Sequence, residues 1–204
     1  MGTTVQILVD ALALGGLYAL TALGIGLIFS VMRLANFAHA ELVTVSAYAL
    51  FALSGSPAIM AFAGAVLLAV ALAVLIERVA FRPLRAADPA TLLIASFAVS
   101  MLIQKLLVFL VGSRPKPLDP LPFLSRPVAL GPVLVSALKL VTVATCAVLL
   151  VALTLFLKRT VFGLRMRAAA ENFTMARLLG VRADAVILAP FALSGALAAV
   201  VALL

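Results

Sequence analysis

Apolar residues fall in blocks long enough to cross a bilayer, and short polar or proline-containing breaks separate them. The blocks run roughly from Val5 to Val31, Leu34 to Leu53, Ala58 to Ile76, Thr91 to Val111, Ala137 to Leu157 and Ala185 to Leu204. A helix rises ~1.5 Å per residue, so ~20 residues match a hydrocarbon core of ~30 Å, and the pattern predicts about six membrane helices. Ser54-Gly55-Ser56-Pro57, Arg82-Pro83 and Asp88-Pro89 mark turns between them. The second block is the weakest, because its polar start leaves a clean apolar run shorter than the ~17 to 25 residues of a full span. No segment shows the alternation of a barrel strand, so the fold class is an all-α polytopic bundle. The first block has no basic leader or small-residue cleavage site and is expected to remain as a membrane helix. Ala11, Gly15 and Ala19, then Ala22, Gly26 and Ser30, recur at fourfold spacing, as do Ser194, Ala198 and Ala202, and these stripes predict close helix packing.

Composition sharpens this picture. The chain is 66% hydrophobic and only 11% charged, against ~25% charged in soluble domains, which excludes a soluble fold. A net charge of +8 on so few charged residues argues against a nucleic-acid surface and asks for a topological explanation. Ten basic residues fall on one set of alternate loops: Arg33; Arg78, Arg82 and Arg85; Lys158, Arg159, Arg165, Arg167, Arg177 and Arg182. The other side has five, Arg114, Lys116 and Arg126 with Lys105 and Lys139 near span ends. The positive-inside rule then puts the first set in the cytoplasm and the N-terminus outside. Lys105 and Lys139 are read as snorkelling residues with no assigned function. A single cysteine, Cys146, excludes a disulfide framework and a cysteine metal site.

The most polar island beside a span is Arg33 to Glu41, which holds the only histidine. One reading makes it an interfacial helix start, with Asn36 as N-cap and Glu41 near the positive end of the helix dipole. The other places Asn36 and His39, three apart on one face, and Glu41 along a translocation path or gate; the two are compatible. Catalysis finds no support: there is no HExxH, no second histidine and no Gly-x-Ser-x-Gly, so no catalytic, metal or cofactor-binding residue is expected. Asp10, one turn after Gln6, reads as a wet interfacial residue rather than a proton relay. Six of the ten prolines, Pro115, Pro117, Pro120, Pro122, Pro127 and Pro132, stiffen one connection. It is expected to be a solvated outer loop rather than a docking surface using Arg114, Lys116 and Arg126.

Gly163 to Val181 is too charged to span, yet its residues favour a helix, with Gly180 as the stop. Exposed Phe173, Met175, Leu178 and Leu179 would seat in a partner's groove, or the basic helix would lie on anionic lipid; the residues alone leave these equal. No G-x-x-x-x-G-K-[ST] motif is present, so nucleotide energy must come from another subunit.

Gly16-Leu17-Tyr18-Ala19-Leu20 with Ala22-Leu23-Gly24, then Asn36-Phe37-Ala38-His39-Ala40-Glu41, then Ile76-Glu77-Arg78-Val79-Ala80-Phe81-Arg82-Pro83-Leu84-Arg85, occur in that order. In residues, order and spacing the chain resembles the inner-membrane permeases of branched-chain amino acid ABC transporters. The run from Arg165 to Val181 is similar to that family's degenerate EAA loop, which docks on the ATPase. The resemblance implies one transmembrane permease domain over residues 1–204 and a cytoplasmic coupling loop over 158–184. It assigns ATPase coupling to Arg167, Phe173, Ala176, Arg177, Leu178, Leu179 and Gly180. The partners it implies are a second homologous permease, two cytoplasmic ATP-binding cassette ATPases and an extracytoplasmic solute-binding protein, in the bacterial inner membrane. It further implies import by alternating access of branched-chain amino acids or a related small amino acid or amide. Two departures stand out: Ala40 occupies a usual glycine position, and family members continue with further helices, so the chain is expected to be incomplete at the C-terminus. The rival readings are a stand-alone secondary carrier or channel for a small solute and, more distantly, an intramembrane enzyme; ATP dependence separates them.

Overall fold

A computed structural model describes residues 2–33, 35–85, 87–114, 127–130 and 133–204. Its helices are α1 (Gly2–Met32), α2 (His39–Ala52), α3 (Ala58–Ile76), α4 (Pro89–Val111), α5 (Ala137–Arg159), α6 (Val161–Glu171), α7 (Phe173–Leu178) and α8 (Ala183–Leu203). Five of them, α1, α3, α4, α5 and α8, are long and apolar enough to cross a membrane. Their starts follow local chemistry: Pro57 caps α3 in an extended conformation and Pro89 opens α4, where a missing N–H costs no helical bond. The proline-rich connection contributes a short antiparallel hairpin, β1 (Pro127–Leu130) on β2 (Val133–Ser136), with Val128 opposite Val135. The hydropathy pattern did not predict these strands. Lys116 and Arg126 lie outside the described residues.

The second crossing differs from its expected form. Helix α2 has 14 residues, about 21 Å at ~1.5 Å each, too short for a full span. Residues 35–38 precede it as non-helical backbone, and Asn36 and Ala38 in that stretch are buried. The chain still passes from one end of the bundle to the other: the Arg33 guanidinium donates to the Ala170 carbonyl of α6 at 3.3 Å, while Leu53 packs beside Gly64 early in α3.

Helix α8 fills the centre, packed against α1, α2 and α3. Close approach to α3 rests on small residues. Ala65, Ala69 and Ala73 are fully buried, and a Cβ added at Gly195 would lie 2.7 Å from the Ala69 carbonyl oxygen. The α8 stripe is confirmed at Ser194 and Ala198, both fully buried. The α1 stripes are corrected: Ala11, Gly15, Ala22, Gly26 and Ser30 are exposed, and nothing lies within 4 Å of an added Cβ at Gly15 or Gly26. The packed face of α1 instead carries Ala13, Leu20, Leu27 and Ile28, with Gly16 against Cys146 and Gly24 against His39. Small size permits close approach but does not choose the face; here the large apolar residues do. Asp10 is partly exposed, and its carboxylate takes a hydrogen bond from Lys139 Nζ at 2.6 Å, joining α1 to α5. Outward-facing Ile59, Leu67 and Phe109 are strongly exposed, as lipid-facing residues of a membrane bundle must be.

Candidate functional site

Three independent depths place the polar island near mid-bundle. His39 Nδ1 shares a 2.7 Å hydrogen bond with Ser194 Oγ, eleven residues into α8 and about 16 Å along it at ~1.5 Å per residue. An added Cβ on Gly24 would lie 2.4 Å from His39 Cε1, and Gly24 sits eight residues before the end of α1, about 12 Å in. The Ser100 hydroxyl, eleven residues into α4, donates to Glu41 Oε1 at 3.1 Å. The site therefore draws on α1, α2, α4 and α8 and lies close to the middle of a ~30 Å core.

Its backbone explains why the second crossing is broken. Asn36 Oδ1 accepts the Ala38 N–H at 3.1 Å, and the Asn36 carbonyl accepts the His39 N–H at 3.2 Å. These local bonds hold the chain in a turn, the alternative to helix that asparagine side chains offer. Asn36 is thus two residues ahead of the N-cap, which is Ala38, a correction to the expected capping role. The Ala35 carbonyl accepts the Ser96 hydroxyl of α4 at 3.3 Å. Non-helical backbone at membrane depth survives only where protein covers it or it lines a cavity, and here Asn36, His39 and Glu41 are all buried. Two donor-capable atoms, Asn36 Nδ2 and His39 Nε2, have no hydrogen-bond partner among the described residues. A buried polar group left unpaired is costly, so these two atoms call for a partner the described residues do not supply. Sequence reasoning found Asn36, His39 and Glu41 but not Ser96, Ser100 or the pairing of Ser194. Ser96 and Ser100, one turn apart inside an apolar span, were the available signal.

At the Arg33 end of the bundle, α3 continues through a π-turn, Glu77–Phe81, closed by Arg82 N–H donating to the Glu77 carbonyl at 2.7 Å. The turn places Glu77 inward, 1% exposed, where it pairs with Arg85. Arg85 also binds Asp184 of α8 at 2.7 Å, and Arg82 binds the same carboxylate at 3.2 Å. Burial opposes the Arg85 charge, but its hydrogen bonds to Asp184 and Glu77 outweigh it and hold the guanidinium above its usual pKa. Phe81, also on the turn and fully buried, packs on Phe191 of α8 at 5.6 Å between ring centroids. The motif from Ile76 to Arg85 is therefore the joint between α3 and α8.

The expected single helix over Gly163 to Leu179 is two. Asn172 is extended, at φ −148° and ψ 98°, and its Oδ1 caps α7 by accepting the Met175 N–H at 2.9 Å. Gly180 does stop α7: at φ +84° it closes a Schellman motif, with Val181 N–H on the Ala176 carbonyl and Gly180 N–H on that of Arg177. The named coupling residues divide between faces. Leu178 and Leu179 are exposed, at 76% and 83%, with Met175 beside them. Ala176 is buried, and Phe173, expected to be exposed, is half-buried against the core. Arg177 is exposed, and Arg167, also exposed, reaches the Lys158 carbonyl at 3.5 Å.

Comparison with known proteins agrees with this architecture. The family described as "Branched-chain amino acid transport system / permease component" matches residues 7–204. The chain is 31% identical to the high-affinity branched-chain amino acid transport system permease protein BraD of Pseudomonas aeruginosa, over 98% of this chain and 69% of that protein. It is 29% identical to the permease protein LivH of Escherichia coli and to that of Salmonella typhimurium, with the same two coverages. No solved structure matches. Together with five membrane-crossing helices, these matches show a multi-pass membrane protein, and the chain belongs to the permease family of branched-chain amino acid transport systems.

Proposed function

We propose that this chain is the non-catalytic membrane subunit of an ATP-binding cassette importer that carries branched-chain amino acids or a closely related small amino acid or amide. The observation that carries the reading is the broken second crossing. It holds Asn36, His39 and Glu41 at mid-depth among α1, α4 and α8, with two buried polar atoms unpaired. Broken helices at the bilayer midplane are where transporters handle solute, because their freed polar groups can be satisfied by it. We assign Asn36, His39 and Glu41 to the path or its gate, and Ser194 to holding the His39 ring.

The basic residues support a cytoplasmic position for the end bearing Arg33, Arg82, Arg85, α6 and α7, and an outer position for the N-terminus. In that orientation the exposed Met175, Leu178 and Leu179 of α7 face the cytoplasm and suit a groove on an ATPase. The remaining partners are a second permease subunit and an extracytoplasmic binding protein.

Uptake by the complete transporter in vesicles tests the reading. His39→Ala and Asn36→Ala are each expected to cut the initial rate by about tenfold or more, equivalent to ~1.4 kcal/mol of barrier, with insertion and ATPase retention unchanged. Wild-type rates in both variants would return the two residues to a structural role. Uptake that persists without ATP and collapses with an ionophore would point to the carrier alternative.

A further inference from the structure

The joint between α3 and α8 opens onto a cavity of about 870 Å³ on the basic side of the molecule, bounded by Arg82, Arg85, Arg177 and Arg182. Four guanidinium groups thus share one space, and among the described residues Asp184 is the single carboxylate on its wall. Arg82 and Arg85 are partly neutralised by Asp184 and Glu77, but Arg85 Nε is buried without a partner among the described residues. Arg177 and Arg182 make no close salt bridge among the described residues, although the charge of Arg177 is felt at Asp184. No side chain caps the start of α8, whose positive dipole end faces the same region. Four guanidinium groups against the carboxylates of Asp184 and Glu77 leave the space with an excess of positive charge.

Its position identifies which kind of anion it suits. Arg82 and Arg85 lie where the third span closes at Leu84, and Asp184 opens the last span, so the cations ring the cavity at the level of lipid headgroups. Ile187 and Leu188 carry the wall one turn further into the membrane as an apolar surface. A charged mouth over an apolar wall matches a phospholipid, and basic pockets between membrane helices take anionic headgroups.

An acidic segment of a cytoplasmic partner is the competing occupant, and α7 argues against it. Phe173 and Arg177, one turn apart, line the cavity, whereas Met175, Leu178 and Leu179 lie exposed on the remaining surface of the helix. The face free for a soluble partner is therefore turned away from the cavity. We propose that this pocket binds the phosphate of an anionic phospholipid behind the coupling helix, so that lipid occupancy supports the α7–α8 corner from the membrane side. This inference requires the membrane embedding but not the proposed solute or its path.

Native mass spectrometry of the full chain released from nanodiscs of phosphatidylglycerol and phosphatidylethanolamine tests it. The wild type is expected to retain phosphatidylglycerol selectively, and Arg177→Gln/Arg182→Gln to lower that retention roughly thirtyfold, from the loss of two surface cations. Arg159→Gln, at an exposed cation outside the cavity, is expected to leave it unchanged; equal loss in this control would reduce the effect to bulk charge and overturn the site. Both cavity arginines are exposed and make no close salt bridge among the described residues, so the double variant should fold, and Arg177→Lys/Arg182→Lys should restore most binding. Unaltered retention in the glutamine variant overturns the proposal. Binding of inorganic phosphate to the detergent-solubilised chain as tight as that of phosphatidylglycerol overturns the lipid assignment in favour of a free anion. A variant that keeps its lipid but loses the ATPase overturns it in favour of a protein partner.

Discussion

His39 is held by two neighbours of opposite character. Ser194 supplies a hydrogen bond to Nδ1 at 2.7 Å, and Gly24 supplies only room, since any Cβ there would lie 2.4 Å from the ring. Glycine is required at residue 24 for space, because the helix around it is regular and no unusual backbone angle is involved. Gly24→Ala must move the imidazole or part α1 from α2, and overpacking of this kind costs about 1–3 kcal/mol. The expected outcome is a lower thermal unfolding midpoint together with reduced uptake; Gly26→Ala, which meets open space, should change neither. Arg85 presents the electrostatic counterpart. Removing it by Arg85→Met leaves Glu77 buried and uncompensated, a loss of about 3–5 kcal/mol in comparable pairs. Unfolding in nanodiscs should show that drop, and the double variant Glu77→Gln/Arg85→Met should recover most of it. A single variant as stable as wild type would overturn the stabilising role of this pair.

Among the elements, α7 is the one whose faces do different work. Leu178→Asp is expected to insert normally and to lose co-purification of the ATPase, because Leu178 is 76% exposed and supports nothing internally. Phe173→Asp is expected to lower the yield of folded protein as well, since its ring packs against the core. If Leu178→Asp retains the ATPase at wild-type yield, α7 is not the coupling element. The contrast also shows what was legible in the sequence. The five long helices follow from length and hydropathy, and α3 matched its expected bounds at both ends, because apolar runs and proline punctuation act locally. Burial of Phe173 was not legible, as it depends on α7 being set off by Asn172 and turned against the core. The same holds for α2. Its polar start was visible and the turn bonds of Asn36 are local, but the mid-depth seat of the turn rests on Ser96 and Ser194, which bond Ala35 and His39 across 61 and 155 residues of chain. The π-turn was hidden too, since one extra residue in a helical turn leaves hydropathy unchanged.

For the whole molecule, the structure gathers Arg33, Arg82, Arg85, Arg177 and Arg182 at one end and the β1–β2 hairpin at the other. Single cysteines test the sidedness that follows from this separation. Ser113→Cys is expected to react with an impermeant maleimide in intact cells, and Arg167→Cys only after the membrane is opened. Native Cys146 is buried and should stay silent in both. Labelling of both positions from the same side would overturn the assigned topology. The central placement of α8 has a separate consequence, for synthesis. This helix leaves the ribosome after α1, α2 and α3, yet all three pack on it, and it brings the partner of His39 and the counter-ion of Arg82. Until it inserts, the earlier helices must wait in the bilayer around an unfilled slot, with polar groups facing lipid or loosely held water. Slowing the arrival of α8, for example by a translational pause before it, is therefore expected to expose the unfinished bundle to membrane proteases for longer and to lower the yield of full-length protein.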